Sequence, residues 1–138
     1  MENKRINALS LFANVGIAET YLKDVGVDVV LANELLTERG KFYQHLYPEC
    51  EMIIGDFTEQ QVYSEIMRKA KERNVQFLLA TPPCQGMSLA GKKQEDDERN
   101  TLIEYVVNAI HDLKPKFVFM ENVTMQLKTR INYGGKKY

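Results

Sequence analysis

Short apolar runs that alternate with longer segments of helical periodicity are the feature that most constrains the fold of this chain. The runs have the length of strands and are rich in Val, Ile, Leu and Phe. All but the first are nearly continuous in hydrophobicity, which is typical of strands in a parallel sheet covered by helices on both faces. The five predicted strands are Ile6–Leu11, Val27–Ala32, Met52–Ile54, Val75–Ala80 and Phe117–Met120.

The segments between these runs predict helices. After the first strand, Ala18, Tyr21, Leu22 and Val25 would share one helical face. Three further helices are predicted over Leu35–Leu46, Glu59–Arg73 and Thr101–Leu113, the last ending before Pro115. Regular alternation of strand and helix predicts an α/β fold with a doubly wound, mostly parallel, Rossmann-like sheet. The length of 138 residues fits one domain and is too short for two.

Composition and charge exclude several classes of protein. Hydrophobic residues make up 44% of the chain and charged residues 27%, which argues against disorder. The net charge of −1 argues against a protein that binds nucleic acid over its whole surface. Residues 114–138, however, hold six basic residues and one acidic residue. No apolar run is long enough to span a membrane. Two cysteines and no signal-peptide pattern predict a cytoplasmic protein without a metal site.

Ligands of open α/β sheets bind outside the carboxyl ends of the strands, so the residues that follow each strand are candidates for a site. The first strand runs into a turn around Gly16 whose backbone N–H groups could bind an anion or merely connect two elements. Glu34 follows the second strand, as a ribose-binding acid or as an acid favoured at a helix start. Asp56 follows the third strand and could accept from an amine or cap the next helix with Thr58.

The residues after the fourth and fifth strands predict covalent chemistry. Pro82 and Pro83 stiffen the chain at a strand end and would present Cys84 at the rim of the sheet. Glu121 ends the fifth strand, where a buried acid must be paired or functional. A thiol beside a carboxyl group is a plausible pair for nucleophilic catalysis, with a structural ion pair as the alternative for Glu121. Cys50 is expected to be an ordinary buried cysteine.

These motifs resemble those of the DNA (cytosine-5) methyltransferases. The residues from Pro82 to Ser88 read PPCQGMS and resemble the catalytic loop of that family, and Glu121-Asn122-Val123 resembles its ENV motif. Arg99-Asn100-Thr101-Leu102 and Leu113-Lys114-Pro115 match in order and spacing. The resemblance covers essentially the whole chain but only the N-terminal part of the family's catalytic domain. It implies the fold of the S-adenosylmethionine-dependent methyltransferases and, as activity, transfer of a methyl group to C5 of cytosine in duplex DNA.

The resemblance also implies a role for individual residues. Cys84 would add to C6 of a cytosine flipped out of the duplex, Glu121 would hold the ring nitrogen, and Asn122 would support that loop. Glu34 would bind the ribose hydroxyls of S-adenosylmethionine, and Asp56 would face its adenine amine. The complete set of cofactor-binding residues implied is Phe12, Gly16, Ile17, Glu34, Asp56, Phe57 and Pro83.

The sequence also departs from the family pattern. Ser10 stands where the family has an acid before Leu-Phe, and the first turn has one glycine rather than several. The arginine-rich segment, the target-recognition domain and the C-terminal GN motif do not occur within residues 1–138. We therefore expect a sheet incomplete at its C-terminal edge, no methyl transfer by these residues alone, and dependence on a complementing C-terminal chain.

Three alternatives to a restriction-modification DNA methyltransferase stay open on the sequence. One is a cytosine-C5 methyltransferase acting on transfer RNA, and another is a non-catalytic remnant that binds the cofactor or a partner chain. A nicotinamide-binding module is the third, and the absence of the GxGxxG fingerprint argues against it.

Overall fold

Five parallel strands with helices on both faces form the body of the protein. A computed structural model describes residues 5–83, 101–121 and 132–137. The strands are β1 (Ile6–Leu11), β2 (Val27–Glu34), β3 (Glu51–Ile54), β4 (Phe77–Ala80) and β5 (Phe117–Met120). The helices are α1 (Thr37–Leu46), α2 (Gln60–Glu72) and α3 (Thr101–Leu113).

The order of the strands in the sheet is β3-β2-β1-β4-β5, and all of these strands are paired in parallel. The chain winds outward from β1 to β3 and then crosses to β4 on the other side of β1. This reversal makes the sheet doubly wound, as the alternation of strands and helices predicts. It also brings the carboxyl ends of all five strands to one edge, where β1 lies between β2 and β4.

Hydrophobic residues pack on both faces of the sheet. Helices α2 and α3 cover one face, where Ile66, Val106 and Ala109 contact the buried leucines of β1, β2 and β4. Helix α1 covers part of the other face, where Tyr43 packs with Ala32 and Cys50. The periodicity of α2 and α3 therefore identified the faces that the tertiary structure buries.

The predicted helix after β1 does not form. Residues 12–26 make a series of turns that ends in a short 3₁₀ helix at Lys23–Val25. Their backbone hydrogen bonds join residues three apart, such as Thr20 N–H to the Ile17 carbonyl and Leu22 N–H to the Glu19 carbonyl. Tyr21 and Val25, which the prediction placed on a buried face, are exposed. The prediction was wrong: within residues 18–25 it is the polar Glu19 that is buried, while Ala18 is exposed and Leu22 is half-buried.

Strand β5 also differs from the expectation. Its bounds match the prediction, but all four of its residues are exposed, between 43% and 54% for Met120 and Phe119. The cause is position, since among the described residues β5 lies at the edge of the five-stranded sheet with β4 as its partner. An apolar run predicts a strand, but the order of the strands decides whether that strand is covered.

Two short strands lie outside this sheet. Residues 132–133 (β6) and 136–137 (β7) pair as an antiparallel hairpin around Gly134 and Gly135, both of which have positive φ. Two consecutive positive φ values are the reason for the glycine pair at this turn. Among the described residues, no helix combines the length and the apolar character that crossing a membrane requires.

Candidate cofactor and catalytic site

Glu34 lies at the carboxyl end of β2 and is held by the turn that follows β1. Its side chain is buried, and its two oxygens accept from different backbone groups. Asn14 N–H donates to Oε2 at 2.9 Å, and Leu36 N–H donates to Oε1 at 2.9 Å. The first bond fixes the β1 turn on Glu34, and the second satisfies a free N–H at the start of α1. Glu34 thus links two strand ends and a helix start.

Asn33 is a positioning residue for this edge of the sheet that the sequence prediction did not single out. Its side chain is 2% exposed. Its Nδ2 donates to the carbonyls of Ile53 (2.9 Å) and Gly55 (3.1 Å), while its own carbonyl accepts from Ala13 N–H. These bonds join the ends of β1, β2 and β3. Asn33 also explains why β2 extends to Glu34, beyond the predicted end at Ala32, because the polar side chain is satisfied within the sheet.

The residues after β3 face the same edge. Asp56 Oδ1 accepts from both the backbone N–H (2.8 Å) and the hydroxyl (2.7 Å) of Thr58, which closes a local turn. Helix α2 begins later, and its N-cap residue Glu59 makes no side-chain cap bond, so the structure does not confirm the expected capping role of Asp56. Phe57 is 2% exposed, and its ring meets that of Phe12 edge to face at 5.8 Å between centroids. The structure therefore brings Phe12 and Phe57 together beneath the strand ends.

Strands β4 and β5 lie side by side, as the pairing of a thiol loop with Glu121 requires. Ala80 and Met120 are opposite each other, and the backbone N–H of Glu121 donates to the Ala80 carbonyl at 3.1 Å. After β4, Thr81 Oγ donates to the Phe12 carbonyl at 3.1 Å, which ties the start of the Pro-Pro segment to the β1 turn. Pro82 is buried and Pro83 exposed. The loop with Cys84, and Asn122, lie outside the described residues.

Glu121 was expected to be a buried acid, and this expectation was wrong. Its side chain is exposed because it ends an edge strand whose own residues are exposed. An exposed carboxylate at a strand end is accessible to a ligand that approaches the sheet edge. The contrast with Glu34, which is 6% exposed, is clear.

Two further predicted residues, Gly16 and Ile17, lie in the turn after β1. Gly16 N–H donates to the Ala13 carbonyl at 2.9 Å, which closes a tight turn, and Gly16 has a positive φ of 83°. The side chain of Ile17 is 78% exposed. Only the backbone of Ile17 is thus positioned by the turn.

A buried carboxyl group lies behind this turn. Ser10 Oγ donates to Glu19 Oε1 at 2.5 Å, and both side chains are less than 5% exposed. Burial raises the pKa of Glu19 above its usual range, and the bond from Ser10 offsets part of that rise. Ser10 thus occupies the position where the family has an acid, and it contacts Glu19, an acid nine residues later. Sequence spacing gave no signal of this pair.

Cys50, the cysteine within the described residues, is part of the core. Cys50 is 3% exposed and packs with Tyr43 on the α1 face. Burial raises the pKa of its thiol to about 11, so it is protonated and unreactive at neutral pH. The expectation of an ordinary buried cysteine is confirmed. Within the residues that the structure describes, no group of three or more metal-ligating side chains comes together.

Comparison with known proteins identifies the family. Residues 6–134 match the model of the C-5 cytosine-specific DNA methylases. The chain belongs to the C-5 cytosine-specific DNA methylase family. The resemblance inferred from the PPCQGMS and ENV segments is therefore confirmed, and the α/β fold with its parallel sheet is the fold expected of a member.

Curated relatives include enzymes named for DNA and for RNA. The type II methyltransferase M1.HgaI of Avibacterium volantium is 43% identical over 96% of this chain. The type II methyltransferase M.HhaI of Haemophilus parahaemolyticus is 32% identical over 83%, and a tRNA (cytosine(38)-C(5))-methyltransferase of Spodoptera frugiperda is 29% identical over 83%. The chain spans 39%, 33% and 34% of the lengths of these three relatives.

Solved structures show the same fold. A prophage-encoded E. coli protein described as a DNA modification methyltransferase superposes with a TM-score of 0.68 at 24% identity, over 86% of this chain and 32% of its own. A DNMT2 variant from Spodoptera frugiperda superposes with a TM-score of 0.63 at 25% identity, over 86% of this chain and 36% of its own. The five-stranded sheet is thus that of the methyltransferases.

Proposed function

We propose that this chain is the cofactor-binding and catalytic part of a methyltransferase that transfers a methyl group from S-adenosylmethionine to C5 of cytosine in duplex DNA. One observation carries the proposal beyond family membership. The buried acid that ends β2, the turn after β1, the start of the Pro-Pro segment after β4 and the exposed acid that ends β5 all lie at one edge of the sheet. Cofactor and base would therefore meet there.

The residues around β1 and β2 fit S-adenosylmethionine. A carboxylate offers about four acceptor positions, and the two backbone bonds to Glu34 use one at each oxygen. Glu34 therefore keeps acceptor capacity for a pair of ribose hydroxyls while its orientation is fixed. Gly16, Ile17 and Phe12 would bind along the β1 turn, Asp56 and Phe57 at the end of β3, and Pro83 after β4. When bound, the cofactor supplies the methyl group as an electrophilic sulfonium substituent.

The residues after β4 and β5 would act on the base. The thiolate of Cys84 would add to C6 of a flipped cytosine, which makes C5 nucleophilic, and Glu121 would hold the ring nitrogen as charge develops there. After methylation a base removes the C5 proton and the bond between Cys84 and C6 breaks, so the thiolate is regenerated. Asn122 would support the loop that holds Glu121. The exposure of Glu121 supports this role, since the base must reach its carboxylate.

Replacement of the nucleophile tests the proposed reaction directly. Cys84→Ala should abolish methyl transfer in a preparation that is active as wild type, while binding of S-adenosylmethionine is retained. A duplex that contains 5-fluorocytosine should trap the wild-type protein covalently, because the fluorine cannot be abstracted, and should not trap the variant. Cys50→Ala is the matched control, since it removes a thiol that is buried in the core. Methyl transfer by Cys84→Ala would contradict the assignment.

Transfer RNA is a second candidate substrate. The observation in its favour is the similarity to the Spodoptera frugiperda enzyme named for cytosine 38 of tRNA. Duplex DNA is favoured by the higher identity to the relative named as a type II methyltransferase. Parallel assays with labelled cofactor on duplex DNA and on unmodified tRNA separate the two, and incorporation into tRNA alone would overturn the proposal for DNA.

Residues beyond the matched region of the relatives would complete the enzyme. The matched relatives are more than twice as long as this chain, and the exposed apolar edge at β5 supports a further contact there. We expect the 138 residues alone to leave DNA unmethylated and a complementing C-terminal chain or continuation to restore transfer. Site-specific incorporation by the 138 residues alone would contradict this. A cytoplasmic location agrees with the unpaired thiol of Cys50.

A further inference from the structure

Two hydrogen bonds hold the turn after β1. In the first, Asn14 N–H donates to Glu34, which anchors the turn on β2. In the second, the carbonyl of Gly16 accepts a hydrogen bond of 2.6 Å from the hydroxyl of Tyr47. Tyr47 follows the last residue of α1 and is 31 positions away from Gly16 in sequence. The residue that follows α1 therefore holds the turn through its phenol hydroxyl.

The rings of Tyr47 and Tyr43 fill the space beside Gly16. A Cβ atom at position 16 would lie 2.3 Å from Cε2 of Tyr47 and 3.0 Å from Cε2 of Tyr43, and the backbone there has the positive φ that favours glycine. The two rings pack against each other with centroids 4.8 Å apart. Glycine at position 16 is thus required both by its backbone conformation and by the tyrosines behind it.

The bond from Tyr47 orients a peptide group. The Gly16–Ile17 peptide is planar and trans, so its carbonyl and its N–H point in opposite directions. Because the carbonyl accepts from the Tyr47 hydroxyl, the N–H of Ile17 is directed away from that hydroxyl. The exposed side chain of Ile17 has no comparable constraint. A backbone donor with a fixed direction suits an anionic group of a ligand.

We propose that Tyr47 is a positioning residue for S-adenosylmethionine, which acts through the Gly16 carbonyl to present Ile17 N–H to the carboxylate of the methionine moiety. This inference rests on the proposed function, because it takes S-adenosylmethionine as the ligand. Glu34 then binds the ribose, and Tyr47 positions the backbone N–H that binds the amino-acid end of the cofactor. The side chain of Tyr47 need not contact the ligand.

The test is a comparison of two ligands with two conservative variants. Tyr47→Phe removes only the hydroxyl and should weaken S-adenosylmethionine binding about three- to tenfold, the range of one neutral hydrogen bond. Binding of methylthioadenosine, which lacks the carboxylate, should be unchanged. Tyr43→Phe is the matched control, since the Tyr43 ring also lies beside Gly16 but its hydroxyl forms no hydrogen bond with the Gly16 carbonyl, and it should leave both affinities unchanged. Calorimetry or ligand competition measures all four values.

A second measurement needs no ligand. Amide hydrogen exchange in the free protein should be faster at Gly16 and Ile17 in Tyr47→Phe than in wild type and unchanged in Tyr43→Phe, with the same thermal midpoint to within a few degrees. Equal losses for both ligands, or no loss for either together with unchanged exchange, would overturn the positioning role. A wild-type protein that binds neither ligand would instead contradict the proposed function itself, while faster exchange in Tyr47→Phe would still support the contact between Tyr47 and the turn.

Discussion

Glu34 and Glu121 end strands of the same sheet, at the same edge, but their surroundings differ. Glu34 ends a strand that lies between two others, is 6% exposed, and accepts from two backbone N–H groups. Glu121 ends an edge strand and is exposed, and its backbone N–H donates to the Ala80 carbonyl. A carboxylate fixed in advance suits a ligand that binds the same way each time, whereas an accessible one suits a base that must enter and leave.

The largest effect is expected at the exposed acid. Glu121→Gln keeps the shape but removes the charge, so methyl transfer at saturating cofactor should slow by about 10²-fold or more, the scale of general acid–base catalysis. S-adenosylmethionine affinity should be unchanged, because Glu34 lies at the other side of the site. Single-turnover kinetics and calorimetry measure the two quantities. Normal turnover with lost cofactor affinity would reverse the roles given to the two acids.

The buried acid should show the opposite pattern. Glu34→Ala should weaken S-adenosylmethionine binding by about 1–3 kcal/mol, since polar partners lose their acceptor. Turnover at saturating cofactor should change little. Glu34→Gln keeps one acceptor oxygen, so its affinity for S-adenosylmethionine should lie between those of the wild type and Glu34→Ala. Glu38→Ala, which alters an exposed acid on α1, is the matched control. Calorimetry that finds wild-type affinity in Glu34→Ala would remove Glu34 from the site.

The hydrogen bonds of Asn33 should explain part of why Glu34 is held in place more firmly than Glu121. Asn33→Ala leaves the carbonyls of Ile53 and Gly55 without this donor, which should destabilise the protein by about 1–3 kcal/mol and also weaken cofactor binding. Asn108→Ala changes an exposed asparagine on α3 and should stay within about 0.5 kcal/mol of wild type. Denaturant unfolding measures both. Equal stability of the two variants would show that the strand ends hold Glu34 without Asn33.

The smallest effect concerns Glu19, a buried acid that accepts from a hydroxyl rather than from two N–H groups. Burial raises the pKa of Glu19 in the folded protein above its unfolded value of 4.5, so the folded state keeps a proton that the unfolded state has lost. This contribution to stability is complete below pH 4.5 and is lost as the pH rises through the folded pKa. Glu19→Gln should remove this slope and raise the thermal midpoint at pH 8 more than at pH 5. A parallel shift at both pH values would contradict the raised pKa.

Particular elements show how far prediction from sequence reached. The bounds of β1, β5 and α3 agree with the predicted ones, because long apolar periodicity and a following proline are local signals. The helix predicted from Ala18, Tyr21, Leu22 and Val25 failed, since its apolar spacing is equally compatible with turns that bury Glu19 instead. Glu34 and Glu121 were identified because each lies at the end of a predicted strand. The sequence did not predict that one acid is buried and the other exposed, because its apolar runs indicate a sheet covered on both faces.

The sequence by itself determined the five strands of the sheet, helices α1 to α3, the family, and the residues at each strand end. These properties follow from local periodicity and from short motifs such as PPCQGMS, which need no knowledge of distant contacts. The tertiary structure alone decided that all four residues of β5 are exposed, that Ser10 meets Glu19, and that Tyr47 donates to the carbonyl of Gly16 from 31 positions away. Such pairings depend on the order of the strands and on how α1 packs, because contacts between distant residues arise only when the whole sheet is assembled.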